Sequence, residues 1–383
     1  MTSRKFSVVF VATVAWPLRV FMGPHIRKIS ESCNVTLVAD GITELQNCQF
    51  HCAVNFIQLA ISRSVQLLPD ICALFNLWRL LRAGKFDCVH SICPKAGLLS
   101  MVAATVAGIP IRFHTFTGQV WVTRKGLFRR LLMFLDWLTA SLATSILTDS
   151  FSQRDFLIAN KIVRPEKISV LAYGSTCGVD LRRFVPNLEV RVKERLLLGI
   201  GAEDFVFLFV GRLKRDKGIF DLLHAFSEVS AIHPSTYLLL VGPDEDSIDA
   251  YISSLPANLS SSIHRIGFTT CPEKFMVMSD VICLPSYREG FGSVLIEAAA
   301  CGLPSICSSI YGIIDAVIDQ VTGILHEAGN AQQIAVCMGR MIQDSSMRQN
   351  MSSAARARVI SCFSESILTE AFQDFYRFHG ILS

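Results

Sequence analysis

Short apolar runs alternate with helical stretches along the whole of this chain, and that alternation restricts its fold more than any other feature. In the first half the spacing predicts strands at residues 6–15, 35–39, 86–90, 111–115, 145–148 and 168–172. In the second half it predicts them at 205–210, 237–241, 263–266, 281–285, 305–307 and 323–326. Helical patterns lie between, at 71–81 and 98–106, and near 219–230, 294–300 and 332–343. A repeated strand–helix order demands parallel sheets flanked by helices. With 383 residues, two domains are expected rather than one. The fold class is therefore α/β, with two Rossmann-like domains. The polar stretch 187–203 reads as the linker, with Pro186 before it and Gly199 and Gly201 inside it. The first domain then covers residues 1–186 and the second 204–364, with a C-terminal helix in 365–383 expected to pack back on the first.

Composition bounds the function. With 51% hydrophobic and 18% charged residues, and a mean hydropathy of +0.42, either the interior is large or part of the surface is apolar. The net charge of +4 hides an asymmetry. Residues 1–186 hold 21 Lys+Arg against 10 Asp+Glu, and the remainder 15 against 22. A basic half beside an acidic half points to two domains with different partners. The uncharged run Ala96 to Ile111 is 16 residues and is broken by Gly108 and Pro110, too short to span a bilayer. Arg4-Lys5 followed by Phe6–Leu18 imitates a signal peptide, but a buried first strand of a parallel sheet gives the same apolar run. The 13 cysteines are scattered. Cys48 and Cys52, with His51 between them, form the closest cluster, without metal-site spacing. They read as buried, reduced thiols of a cytosolic protein.

Two segments carry chemistry. Gly211-Arg212-Leu213-Lys214-Arg215-Asp216-Lys217-Gly218 follows the strand at 205–210, so it sits at a carboxyl end, where open α/β sheets bind ligands. Arg212 can fork onto two phosphate oxygens and Lys217 can supply a point charge. The second segment joins the strand at 281–285 to the helix at 294–300. It holds Glu289, Gly290, Phe291, Gly292 and Ser293, with Glu297 eight positions beyond Glu289. Ser293 reads as the N-cap, which would aim backbone amides and the helix dipole at a phosphate. Glu297, one turn in, can reach a ribose diol, and Glu289 can reach sugar hydroxyls. Two cations, an open helix start and two carboxylates suit a sugar attached to a nucleoside diphosphate.

On these residues the chain resembles the retaining nucleotide-sugar glycosyltransferases of family 4, with the two-Rossmann-domain GT-B architecture facing a central cleft. The carrying residues are Gly211–Gly218, the Glu289–Glu297 pair, Ala298-Ala299-Ala300-Cys301-Gly302-Leu303-Pro304, Gly312–Gly323, Phe113-His114-Thr115, and Gly178-Val179-Asp180 with Phe184. The resemblance implies diphosphate binding by Arg212 and Lys217, with Gly211 and the Gly290–Ser293 loop helping to hold the donor. It implies ribose binding by Glu297, donor-sugar binding by Glu289, and His114 lining the cleft. A lone histidine after a strand also reads as a hydrogen-bonded structural residue. It implies retention of configuration, with the donor phosphate accepting the acceptor's proton, and no metal cofactor. The family's Gly-Gly loop after the first strand is missing: Val14-Ala15-Trp16-Pro17-Leu18 stands there. Asp315 replaces a frequent glutamate. Asp244-Glu245-Asp246 imitates the metal motif of a different transferase fold and reads as a solvated acidic loop.

Residues Trp121–Leu135 mix bases and large apolar groups, which suits an anionic membrane surface as well as an ordinary amphipathic helix. Arg124, Lys125, Phe128, Arg129 and Arg130 are the candidate membrane or acceptor contacts. The match is closest to bacterial enzymes that extend a lipid-diphosphate-linked sugar in surface-polysaccharide assembly. The expectation is a peripheral enzyme on the cytoplasmic face of the plasma membrane. Its donor would be a nucleotide-sugar, UDP the commonest carrier, and its acceptor a polyprenyl-diphosphate-linked saccharide. N-acetylhexosamine, galactose, glucose and mannose all fit the donor reading. Rival readings are a nucleotide-sugar 2-epimerase of the same architecture and a catalytically silent scaffold. No zinc finger, helix-turn-helix or aromatic-basic sheet motif supports nucleic acid as a partner.

Overall fold

A computed structural model describes residues 5–43, 53–62, 64 and 66–382. The chain forms two compact domains, Met1–Gly178 with Glu365–Ser383, and Val179–Ser364. The Cys48–Cys52 cluster lies outside the described residues. No described helix is long and apolar enough to cross a membrane.

The first domain is built on β1 (Ser7–Val14), β2 (Asn34–Asp40), β3 (Val54–Gln58), β4 (Cys88–Ile92), β5 (Ile111–Phe116), β6 (Ser145–Thr148) and β7 (Ile168–Val170). Their order is β3-β2-β1-β4-β5-β6-β7, and each pairing is parallel. Both faces are covered, because successive side chains of a strand point to opposite sides. Val8, Phe10 and Ala12 pack on one side with the Gly23–Ser30 and Glu365–Phe378 helices. Val9 and Val11 pack on the other with the Leu67–Gly84, Pro94–Ala107 and Gly126–Leu142 helices. The run imitating a signal peptide is thus β1, a buried central strand, followed directly by the short Ala15–Val20 helix. The sequence pattern passed over β3, whose VNFIQ is interrupted by polar residues and sits at a sheet edge with Asn55 and Gln58 exposed.

The C-terminal helix buries Leu368, Phe372, Phe375 and Tyr376 in the first domain's core. There the Tyr376 hydroxyl lies 2.8 Å from His90 Nδ1, and His90 Nε2 lies 2.8 Å from the Thr115 hydroxyl. Burial holds His90 neutral, its pKa lowered to about 3.

The second domain contains β8 (Phe205–Val210), β9 (Thr236–Val241), β10 (Ile263–Ile266), β11 (Val281–Leu284), β12 (Ser305–Ser308) and β13 (Gly323–His326), ordered β10-β9-β8-β11-β12-β13 and parallel throughout. β8 is the first strand of this sheet in sequence and has β9 on one side and β11 on the other, so the chain's direction of travel reverses there. Ligands of such sheets lie beyond the carboxyl ends at that point.

The expected linker is a correction. Residues 187–203 contain the Leu188–Leu197 helix, an integral part of the second domain. Its basic residues made it look solvated, yet two arginines face inward. Arg195, 3% exposed, donates to the carbonyls of Met278 (2.8 Å) and Asp204 (2.8 Å) and to Asp280 Oδ2 (2.8 Å). Arg191 donates to Asp280 Oδ1 (2.6 Å) and to the Ser279 carbonyl (2.7 Å). The chain instead changes domain at Gly178/Val179 and Ser364/Glu365. The Val179 amide donates to the Phe363 carbonyl at 2.8 Å, so the two crossings run side by side. Val179 and Phe184 of the Gly-Val-Asp…Phe motif are core residues that pin this crossing.

Candidate functional site

At the carboxyl ends of β8, β11 and β12 three loops meet with almost no room between them. Gly218 has φ +71°, and a Cβ there would stand 2.0 Å from the Pro285 carbonyl oxygen. Gly312 has φ +85°, and its Cβ would stand 2.6 Å from the Gly290 oxygen. Both positions require glycine on conformational and steric grounds together. The Tyr287 amide donates to the Asp216 carbonyl (3.0 Å), and the Tyr287 hydroxyl donates to Asp221 (2.8 Å). The loops following β8 and β11 therefore behave as one wall.

On that wall Lys217 Nζ lies 2.5 Å from Glu289 Oε1, and both side chains are mostly buried. The Ser286 hydroxyl, wholly buried, donates to the same oxygen at 2.8 Å. Arg288 pairs with Asp216 at 2.9 Å. Arg212 reaches Glu245 Oε2 at 2.9 Å, and Lys214 reaches the same oxygen at 3.3 Å. Four cations are thus gathered, each against a carboxylate. Gly211, with φ +153°, is in close contact with Gly242: a Cβ on Gly242 would stand 1.9 Å from the Gly211 oxygen.

The acidic loop is a correction in part. Asp244-Glu245-Asp246 is not simply solvated. Asp244 accepts from the amides of Asp246, Ile248 and Asp249, and Asp246 accepts from the Arg215 amide at 2.6 Å. With Glu245 on Arg212 and Lys214, this loop holds the basic loop in place. No described group of carboxylates, histidines and cysteines could hold a metal ion.

The helix after β11 runs Ser293–Ala300. Its N-cap is Gly292 in the left-handed region (φ +84°), so Ser293 is the first helical residue rather than the cap. Only glycine takes that backbone cheaply, and the sequence pattern favoured the hydroxyl instead. The cap leaves the first amides, Ser293 and Val294, outside the helix's own ladder. Phe291, expected at the donor, is 2% exposed and meets Phe363 edge-on in the core, with centroids 5.3 Å apart. It anchors the loop from behind, so only its backbone is available to a donor.

Glu297 lies one turn along this helix, partly buried, with no side-chain hydrogen-bond partner among the described residues. Burial pushes its carboxyl up to about 7, with Arg183 pulling it down and Glu273 pushing it up. Arg183 is itself engaged with Glu273 (2.7 Å) and with the Thr270 carbonyl (2.5 Å).

His114 is also corrected. It lies within β5, fully buried, with Nδ1 2.9 Å from the Ser91 hydroxyl and Nε2 without a partner among the described residues. A Cβ on Gly97 of the Pro94–Ala107 helix would stand 2.3 Å from its ring, so the helix closes over it. Burial lowers its pKa to about 3. The strand runs to Phe116, leaving His114 inside and Thr117 as the first residue out. Sequence reasoning missed Ser286, Glu245 and Arg183. Ser286 was signalled by its place after β11, and Glu245 by the acidic run already noticed.

The expected membrane or acceptor contacts lie around the start of the Gly126–Leu142 helix. Arg124, Lys125, Phe128 and Arg130 are exposed. Arg129 is half-buried and lies 5.2 Å from the Trp121 ring centroid.

The glycosyl transferases group 1 family matches residues 193–358, and the glycosyl transferase 4-like domain matches residues 29–174. The capsular polysaccharide biosynthesis glycosyltransferase CapM of Staphylococcus aureus is 31% identical over 83% of this chain and 83% of its own length. The chain belongs to the group 1 glycosyltransferases. The enzyme is also 28% identical, over 82% of its length and 81% of the relative's, to an Escherichia coli UDP-Gal:alpha-D-GlcNAc-diphosphoundecaprenol alpha-1,3-galactosyltransferase. Among solved structures, Anabaena HepE in complex with UDP and glucose has a TM-score of 0.80 at 19% identity, covering 97% of this chain and 99% of its own. WaaG, a glycosyltransferase involved in lipopolysaccharide biosynthesis, gives 0.72 at 18%, covering 96% and 99%. These likenesses show the GT-B fold. The relatives lend no support to the epimerase reading.

Proposed function

We propose that this glycosyltransferase moves a hexose or N-acetylhexosamine from a UDP-sugar to a polyprenyl-diphosphate-linked saccharide during surface-polysaccharide assembly, with retention and without a metal. The observation that carries it is the wall where Lys217 meets Glu289, with Arg212 on the same loop as Lys217 and an open helix start following Glu289. The named relatives make capsule or act on a diphosphoundecaprenol-linked sugar, which supports the acceptor class.

As the glycosidic C–O bond breaks, the leaving diphosphate gains charge. Lys217 and Arg212 exchange their internal carboxylates for its oxygens, and the Ser293 and Val294 amides add fixed dipoles. Preorganised cations do here what a metal does elsewhere. Glu297 accepts from the ribose hydroxyls. Glu289, released from Lys217 and still oriented by Ser286, holds a hydroxyl of the donor sugar. The acceptor hydroxyl's proton passes to the departing phosphate oxygen on the same face, so the configuration is kept.

Calorimetric titration with UDP tests this. The wild type should bind, and Arg212→Ala and Lys217→Ala should each lose roughly tenfold or more in affinity, since each removes a charge-assisted contact. Variants that bind UDP as the wild type does refute the site. A folded wild type that binds no nucleotide favours the scaffold reading. On the acceptor side, the exposed Leu127, Phe128, Leu131, Phe134 and Trp137, with Arg124, Lys125 and Arg130, support peripheral contact with an anionic membrane surface.

A further inference from the structure

The first domain exposes a second apolar helix start. In the Leu67–Gly84 helix, Leu67 and Leu68 are 76% and 75% exposed, with Ile71 and Phe75 exposed along the next two turns. The sequence pattern predicts this helix only over 71–81, without its apolar start. Its own cost in water is considerable, because exposed apolar groups in one patch are rarely idle.

Its position is fixed by topology. The Leu67–Gly84, Pro94–Ala107 and Gly126–Leu142 helices connect β3 to β4, β4 to β5 and β5 to β6, and all three pack on the same side of the sheet. Crossover helices run against their strands, so all three start at the carboxyl edge. Leu67-Leu68 and Leu127-Phe128 therefore project at the same edge of the sheet, one helix apart. Adjacent helices pack 8–10 Å apart, which separates the two tips by roughly 20 Å.

The tip is held rather than loose. Lys95, at the start of the middle helix, forms an ion pair with Asp70 and donates to the carbonyls of Ser62 (2.8 Å) and Ser64 (2.6 Å). This pairing also neutralises the only acid in the helix. Apolar tip and cancelled acid, with the exposed Arg124, Lys125 and Arg130 at the neighbouring tip, are complementary to an anionic bilayer surface.

We propose that the enzyme engages the membrane through two helix tips, Leu67-Leu68-Ile71 and Leu127-Phe128-Leu131, which seat the carboxyl edge of the first domain's sheet on the lipid surface. This rests on the peripheral-membrane reading above and adds the second anchor and the orientation. A lipid-diphosphate acceptor then presents its sugar at the edge where the strands end, without leaving the bilayer.

Flotation of the full chain with phosphatidylglycerol–phosphatidylethanolamine vesicles tests it, using Leu67→Ser/Leu68→Ser and Leu127→Ser/Phe128→Ser. All four side chains are exposed, so thermal midpoint and UDP affinity should stay at wild-type values. Each double variant should lower vesicle partitioning roughly a hundredfold, as expected for withdrawing two large apolar side chains from lipid contact. If the 127/128 variant loses partitioning and the 67/68 variant keeps it, the second anchor is wrong while peripheral binding stands. If the wild type does not float, the membrane reading itself falls and this inference with it. If the 67/68 variant instead dissociates an oligomer in sedimentation, the tip is a subunit contact and the proposal is overturned.

Discussion

Glu297→Gln should stabilise the protein and disable it. The carboxyl is buried enough that its pKa rises from 4.5 to about 7. Below about pH 4.5 it is protonated in folded and unfolded chains alike and contributes no pH-dependent difference. As the pH climbs, the unfolded chain ionises first while the folded one keeps the proton, so stability falls. Above about pH 7 the folded carboxyl ionises too and the penalty becomes constant. The full displacement corresponds to at most ~3 kcal/mol at pH 8. Glutamine keeps the shape without the charge, so Glu297→Gln should regain up to that amount at pH 8 and almost none at pH 4.5. For a domain of this size 1 kcal/mol moves the midpoint by about 2–4 °C, so a gain of roughly 6–12 °C is the ceiling. Differential scanning calorimetry at the two pH values reads it directly. Adding UDP should raise the wild-type midpoint, because a ligand that binds only the native state stabilises it. It should move the variant's far less, since the amide is a weaker acceptor for two ribose hydroxyls. A variant destabilised at pH 8, or stabilised equally at both pH values, would show that desolvation does not govern this carboxyl.

Two further substitutions probe the wall. Gly218→Ala places a methyl 2.0 Å from the Pro285 carbonyl oxygen at a left-handed φ, where backbone must shift to admit it. The expected loss is about 3 kcal/mol or more, with weaker UDP binding because the displaced loops carry Lys217 and Glu289; urea denaturation and titration check both. Glu245→Gln frees Arg212 and Lys214 from a half-exposed internal carboxylate. UDP affinity should rise about two- to fivefold, in keeping with a surface pair worth under ~1 kcal/mol; unchanged affinity in calorimetry would mean that Glu245 does not compete with the diphosphate.

The chain's alternation of strand and helix, and the placing of both motifs at strand ends, were decided by the sequence alone. Twelve of the strands lie where the apolar runs predict them, because buried parallel strands must be continuously apolar. Glycine positions within the motifs likewise signalled close backbone approach. The same continuity hides which face of a strand is open. In β5 Arg112 and His114 share one face, which reads as polar and open, and only the packing of Gly97 shows that His114 is enclosed. Tertiary structure also settled the partners. Arg195 looks like a linker cation until Asp280 and four backbone carbonyls come round it. Glu245 meets Arg212 because β9 lies beside β8. Local propensity and periodicity are written residue by residue, whereas the neighbour of a charge is set by sheet order, and sheet order is a property of the whole domain.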